Sequence, residues 1–195
     1  MVQKQQFTYY DDYDTVKRNA LEYESRVGLL AQAAADLKPD FIFIGYSGGL
    51  TFQTPDIFRD LALPSLKIIT AVSKANAIPS MMHCCGRSRA LVEIVANETD
   101  LNCINPLEIP PMGDCNLAEI KSSLGHKISL MGNLHTSNIM LFGSSETVSE
   151  ASKKAIDDAG QNGGFILSTG DQCGRDTPFE NIKAMIDVAR TYGKY

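Results

Sequence analysis

Phe41-Ile42-Phe43-Ile44 is an unbroken apolar run, followed by Gly45-Tyr46-Ser47-Gly48-Gly49 and then by Thr54-Pro55-Asp56. The run is too short for a helix and reads as a fully buried strand. Thr54 is a good cap, and Pro is tolerated at the first helical position, so a helix is expected from Asp56 to Ala75, interrupted at Pro64. Upstream, Val16, Ala20, Val27, Leu30 and Ala34 recur at helical spacing and predict a helix over 14–37, ended by Lys38-Pro39-Asp40. Strand, Gly-rich or polar turn, amphipathic helix is therefore the unit to look for.

That unit recurs to the end of the chain. Strands are expected at Ser80-Met81-Met82-His83, at Leu101-Asn102-Cys103-Ile104, over Lys127 to Met131 ending in Gly132-Asn133, and at Phe165-Ile166-Leu167-Ser168. Helices follow near Ser88 to Asn97, over Asn116 to Leu124 with a left-handed C-cap at Gly125, and from Ser145, read as the cap, to Ala159. Thr177-Pro178-Phe179-Glu180 opens the last helix, which runs to about Tyr192. Continuous apolar strands alternating with helices predict an α/β fold with a parallel sheet, its functional residues on the loops after the strands. Five such units do not close a standard (β/α) barrel, which has eight and usually about 250 residues. The expected architecture is a partial TIM-type (β/α) barrel of about five parallel units.

Composition narrows the function classes. A length of 195 residues is ordinarily one domain, and 44% hydrophobic residues suffice for a core. The net charge of −5, with no basic cluster, argues against a general grip on nucleic acid. No apolar stretch approaches the roughly 18 residues of a membrane span. Met1-Val2-Gln3-Lys4-Gln5-Gln6 lacks the apolar core of a signal peptide, so a cytoplasmic protein is expected. Its five cysteines (84, 85, 103, 115 and 173) are then read as ligands, nucleophiles or buried apolar residues before disulfides.

The chemistry-bearing types gather after the strands. In an extended segment His83 and Cys85 point the same way, and Cys84 the opposite way into packing. Cys173, in Gly170-Asp171-Gln172-Cys173-Gly174, follows another strand. One imidazole and two thiolates are soft ligands suited to Zn²⁺ in an open site. Glu108 is the nearest carboxylate for a fourth ligand, with Asp114 and Asp171 as alternatives that helix capping and turn formation also explain. Tyr46 and Ser47, in the first Gly-rich loop, and Asn133 are candidate substrate contacts. His126 and His135 stand alone, and no catalytic residue is assigned.

The ordered string His83-Cys84-Cys85-Gly86, Gly113-Asp114, Leu117-Ala118-Glu119-Ile120-Lys121, Leu130-Met131-Gly132-Asn133 and Thr177-Pro178-Phe179-Glu180-Asn181-Ile182 resembles the C-terminal part of the uroporphyrinogen decarboxylase superfamily. The resemblance runs from about Pro39 to the terminal Tyr195 and implies a TIM-barrel fold, with residues 1–195 as its C-terminal portion. Cys173 replaces the histidine typical of the decarboxylase branch and looks like the branch of zinc-dependent methyltransferases. That branch implies Zn²⁺ on His83, Cys85 and Cys173, with Glu108 as a further ligand, a corrinoid carried on a partner protein, and a small thiol or similar methyl acceptor. Two alternatives stand beside it: a decarboxylase-like enzyme acting on a tetrapyrrole, and a non-catalytic fragment or subunit. A partial barrel leaves sheet edges and apolar faces uncovered, so self-association or a partner completing the barrel is expected.

Overall fold

The computed structural model describes residues 8–194; the stretch Met1–Gln6, read above as lacking a signal core, lies outside them. The elements run α1 (Tyr13–Asp36), β1 (Ile42–Gly45), α2 (Gly49–Phe52), α3 (Pro55–Leu61), α4 (Leu63–Ala75), β2 (Ser80–His83), α5 (Arg89–Glu98), β3 (Cys103–Asn105), α6 (Leu117–Leu124), β4 (Ser129–Leu134), a π-helical turn (Thr136–Leu141), α7 (Ser145–Ala159), β5 (Phe165–Thr169) and α8 (Phe179–Thr191). None of these helices is long and apolar enough to cross a membrane.

All five strands are parallel and their spatial order is their chain order, β1-β2-β3-β4-β5. A doubly wound sheet reverses its strand order at a switch point; this one does not. Winding that keeps one direction puts every connecting helix on the same face, as in a (β/α) barrel. The fold is therefore a partial barrel of five parallel units.

Register explains why the strands read as continuous apolar runs. Ile44, Met82, Ile104, Leu130 and Phe165 form one row across the sheet, on the helix-covered face. Met82, Ile104, Leu130 and Phe165 belong to the main core cluster with the helical residues Phe58, Leu66, Leu91, Val95, Ile120 and Val148, and Ile44 packs against it. The opposite face carries Phe43, Met81, Met131 and Ile166, equally apolar but without helices over it: Phe43 is 56% and Ile166 50% exposed. The alternation is thus one of burial and not of polarity.

Several local expectations shift. β3 and β4 begin two residues later than expected, and Gly132-Asn133 lies inside β4. Gly125 stays right-handed at φ −62°, and Ser144, one residue before the expected cap, accepts from Thr147 N. In α1 the buried residues are Val27, Ala31 and Ala35, whereas Leu30 points outward. The reason is that only the C-terminal half of α1 packs closely: a Cβ on Gly28 would stand 3.4 Å from Ile68 of α4, and no residue from Tyr13 to Arg26 is buried.

Candidate metal centre

β2 builds the site. His83, its last residue, lies in register with Gly45 on one side and Asn105 on the other, and the ladder continues past it through Tyr46 N to His83 O (2.7 Å) and Cys84 N to Asn105 O (2.8 Å). Alternation turns His83 to the helix-free face, where its ring lies 6.2 Å from that of Phe43. Cys84 turns back into the core, fully buried, and burial pushes its thiol up to about 12. Cys85 returns to the His83 side.

Gly86 then bends the chain at φ +80°, a left-handed conformation that suits glycine, with Thr51 so close that a Cβ would collide with its side chain. The bend aims Gly86 N–H at the Glu108 carboxylate, which accepts it. Glu108 is buried, and its backbone carbonyl accepts from Cys115 N at 3.0 Å.

Among the described residues, His83, Cys85 and Asp171 are the group whose ligand atoms converge, all within 4.8 Å of one another. His83 Nε2 stands 3.8 Å from Asp171 Oδ1. Bond lengths of about 2.0–2.3 Å in a tetrahedral zinc site set ligand atoms roughly 3.5 Å apart, so a small closure of this group fits the ion. Burial raises the pKa of the Cys85 thiol above its ordinary value, and the negative charges of Asp171 and Glu108 raise it further. The Gly48 N–H and the Ser47 hydroxyl oppose this by hydrogen bonding to the sulfur. The thiol sits beside the Asp171 and Glu108 carboxylates, an electrostatic setting that a divalent metal satisfies.

The other candidates fall as follows. Cys173, on the β5–α8 loop with Asp171, is half-buried and packs against the core outside the three-residue group. The Thr169 hydroxyl donates to Asp171 O at 2.8 Å and shapes that turn. Ser47 reaches Cys85, whereas Tyr46 faces the helical layer: its ring lies 5.2 Å from Phe58 and its hydroxyl donates to Gln53 Oε1 at 2.5 Å. Asn133 is buried and donates to Leu107 O at 2.8 Å. Asp114 caps α5, accepting from Ser88 N (2.9 Å) and Arg89 N (3.0 Å), while Asn116 caps α6.

Two residues gain roles that the sequence did not signal. His135 is buried and accepts through Nδ1 from Ser137 N and Asn138 N, both at 3.1 Å, capping the π-helical turn and leaving Nε2 to carry the proton. Asn105, level with His83, has a buried Oδ1 without a hydrogen-bond partner. His126 is exposed, as expected.

The comparisons with known proteins converge on one family. The sequence model described as Uroporphyrinogen decarboxylase (URO-D) matches residues 29–192. The chain is similar to a uroporphyrinogen decarboxylase from Thioalkalivibrio sulfidiphilus, 26% identical over 94% of this chain and 51% of that protein. It is also similar to a methylcobamide:CoM methyltransferase from Methanosarcina acetivorans, 27% identical over 70% of this chain and 37% of that protein. A solved methyltransferase from Methanosarcina mazei shares the fold at a TM-score of 0.70 and 19% identity, covering 88% of this chain and 48% of that one. The chain thus spans between about a third and about half of the length of these relatives.

Proposed function

This chain belongs to the uroporphyrinogen decarboxylase family, and from that premise we propose that it is the zinc-binding part of a methyltransferase that moves methyl between a corrinoid protein and a small thiol or similar acceptor. The convergence of His83, Cys85 and Asp171 carries this reading. The likeness to a methylcobamide:CoM methyltransferase supports it. Zn²⁺, when bound, supplies a Lewis acid that lowers the pKa of an incoming thiol and so makes a thiolate available at neutral pH.

The residues divide the work around that ion. His83 offers Nε2 and Cys85 its sulfur, and the third ligand comes from the β5–α8 loop. The approach of Asp171 to His83, 3.8 Å from Nε2, supports it for that position. Cys173, which the family resemblance assigns, lies two residues on in the same loop, packed against the core. Glu108, buried and close enough to act on the Cys85 thiol, is the carboxylate placed to take the proton that metal binding releases, or to serve as a further ligand. The Ser47 hydroxyl and Gly48 N–H stabilise the Cys85 thiolate, and Asn133 lines the same rim.

A second reading has its own support, because a relative aligned over 94% of this chain is a decarboxylase. A decarboxylase-like protein binds a tetrapyrrole and needs no metal. Zinc analysis of protein purified without added metal separates the two. About one zinc per chain, lost in Cys85→Ser, is expected. A folded, zinc-free wild type that binds uroporphyrin overturns the methyltransferase reading. Cys173→Ser and Asp171→Asn, measured alongside, identify the third ligand by which of them loses metal.

The sheet itself supports a partner. Among the described residues β1 and β5 are the outer strands of the sheet, and Phe43 and Ile166 stay half exposed on its inner face. Further parallel βα units, from a second copy or another polypeptide, fit those edges and cover that face.

A further inference from the structure

We propose a second binding site, separate from the metal centre and on the other side of the sheet, for a neutral and mainly apolar small molecule held beneath α1. A cavity of about 510 Å³ lies there. That volume falls within the range of small-molecule pockets, roughly 300–1,000 Å³. Ile44 and Met82 of the helix-covered sheet face form its floor, Phe58 and Leu66 its walls, and Val16 and Ala20 of α1 its roof. Among the described residues no charged side chain lines it, so a charged ligand would find no counter-ion there.

Neutral polar side chains interrupt this lining: Thr15, Asn19 and Tyr23 on the α1 side, and Ser65, Tyr46 and Gln53 opposite. The Ser65 side chain, near the start of α4, is in the wall, 5% exposed, and among the described residues its hydroxyl has no hydrogen-bond partner. Buried hydroxyls are ordinarily paired, so a ligand hydroxyl, amine or carbonyl is the partner this position calls for. Tyr46 and Gln53, joined by their own hydrogen bond, mark the end nearest the metal centre. The roof is held without filling the space. Lys17 of α1 reaches the Asp60 carboxylate at 2.6 Å and its carbonyl at 2.9 Å, and the Tyr9 hydroxyl adds a bond of 3.2 Å to the same carboxylate. Gln32 and Asn76 exchange side-chain bonds at the far end of the helix. α1 is thus strapped at both ends over a gap that its N-terminal half does not fill.

The site is independent of metal binding, and its test is made without zinc. N-phenyl-1-naphthylamine, a neutral apolar amine, serves as the ligand in a fluorescence titration combined with NMR. Saturable one-to-one binding is expected, with intermolecular NOEs from the dye to the methyl groups of Ile44, Ile69 and Met82. Ala20→Phe, filling from the roof, and Ala62→Met, filling from the wall, are each expected to weaken binding tenfold or more while the folded spectrum is kept. NOEs to Met81, Met131 or Ile166 place the dye on the open sheet face and overturn the proposal. So does a folded wild type with no saturable binding. The wild-type NOEs decide the matter even where a filling variant fails to fold.

Discussion

The two faces of this sheet are built from the same residue types and have opposite fates. On one, Met82, Ile104 and Leu130 are at most 2% exposed beneath helices; on the other, Phe43 and Ile166 are half exposed. The difference teaches that the core of this chain is one-sided. The main core cluster lies between sheet and helices, and the candidate metal centre lies on the opposite face and rim. His83 belongs to the open face while its neighbours Met82 and Cys84 anchor β2 from behind, so the strand positions the histidine without the histidine being needed to hold the strand.

The most severe way to challenge that contrast is to hollow the covered face. Ile104→Ala removes a fully buried side chain from the middle of the sheet. It is expected to cost about 2–5 kcal/mol, read as a lowered urea midpoint with an unchanged slope. A loss under about 1 kcal/mol would mean that this face is not the core.

A smaller effect is expected at the rim of α1. The neighbouring Lys17 holds the Asp60 carboxyl below its ordinary value, and Asp60 in turn raises the Lys17 ammonium. With the carboxyl depressed in the folded state, its contribution is present above the unfolded value of about 4 and lost as pH falls through the folded one. The raised ammonium adds a contribution that persists until strongly alkaline pH. Lys17→Met is therefore expected to cost no more than about 1 kcal/mol at pH 7, a difference from wild type that fades below about pH 4. A cost that stays constant down to pH 2 would show that the lysine acts by packing instead of by charge.

The smallest effect is expected on the open face. Phe43→Ser with Ile166→Ser is expected to change the stability of the isolated chain by no more than about 0.5 kcal/mol each, as for surface positions. The same pair is expected to reduce self-association in light scattering. Destabilisation like that of Ile104→Ala would erase the distinction between the faces.

The order and type of the strands and long helices were legible because each strand is apolar on both faces, one buried and one open, and so stands out from its turns. Sequence could not distinguish the two faces, since Phe43 and Ile44 look alike until helices cover only one of them. The starts of β3 and β4 slipped because the residues before them, Leu101 and Ile128, are apolar core residues outside the ladder. The π-helical turn was missed because its cap is a histidine ring nitrogen, which local capping rules do not include. His83 and Cys85 were legible from the two-residue repeat of a strand. Asp171 was legible only as an alternative fourth ligand, because its approach to His83 depends on a loop conformation, held partly by Thr169, that leaves Cys173 against the core. Asp114 was read as a local cap, yet it serves a helix that begins 25 residues earlier.

The unreversed strand order has one more consequence. Along the sheet each strand pairs only with the strands before and after it, although the loops at its end meet across the units, as His83 and Asp171 do. Cutting or joining such a chain between units disturbs no threading, and an assembly of such units is indifferent, geometrically, to whether neighbours share a backbone. A ring of this kind can be written as one gene or several, and what decides is how tightly two bare seams hold.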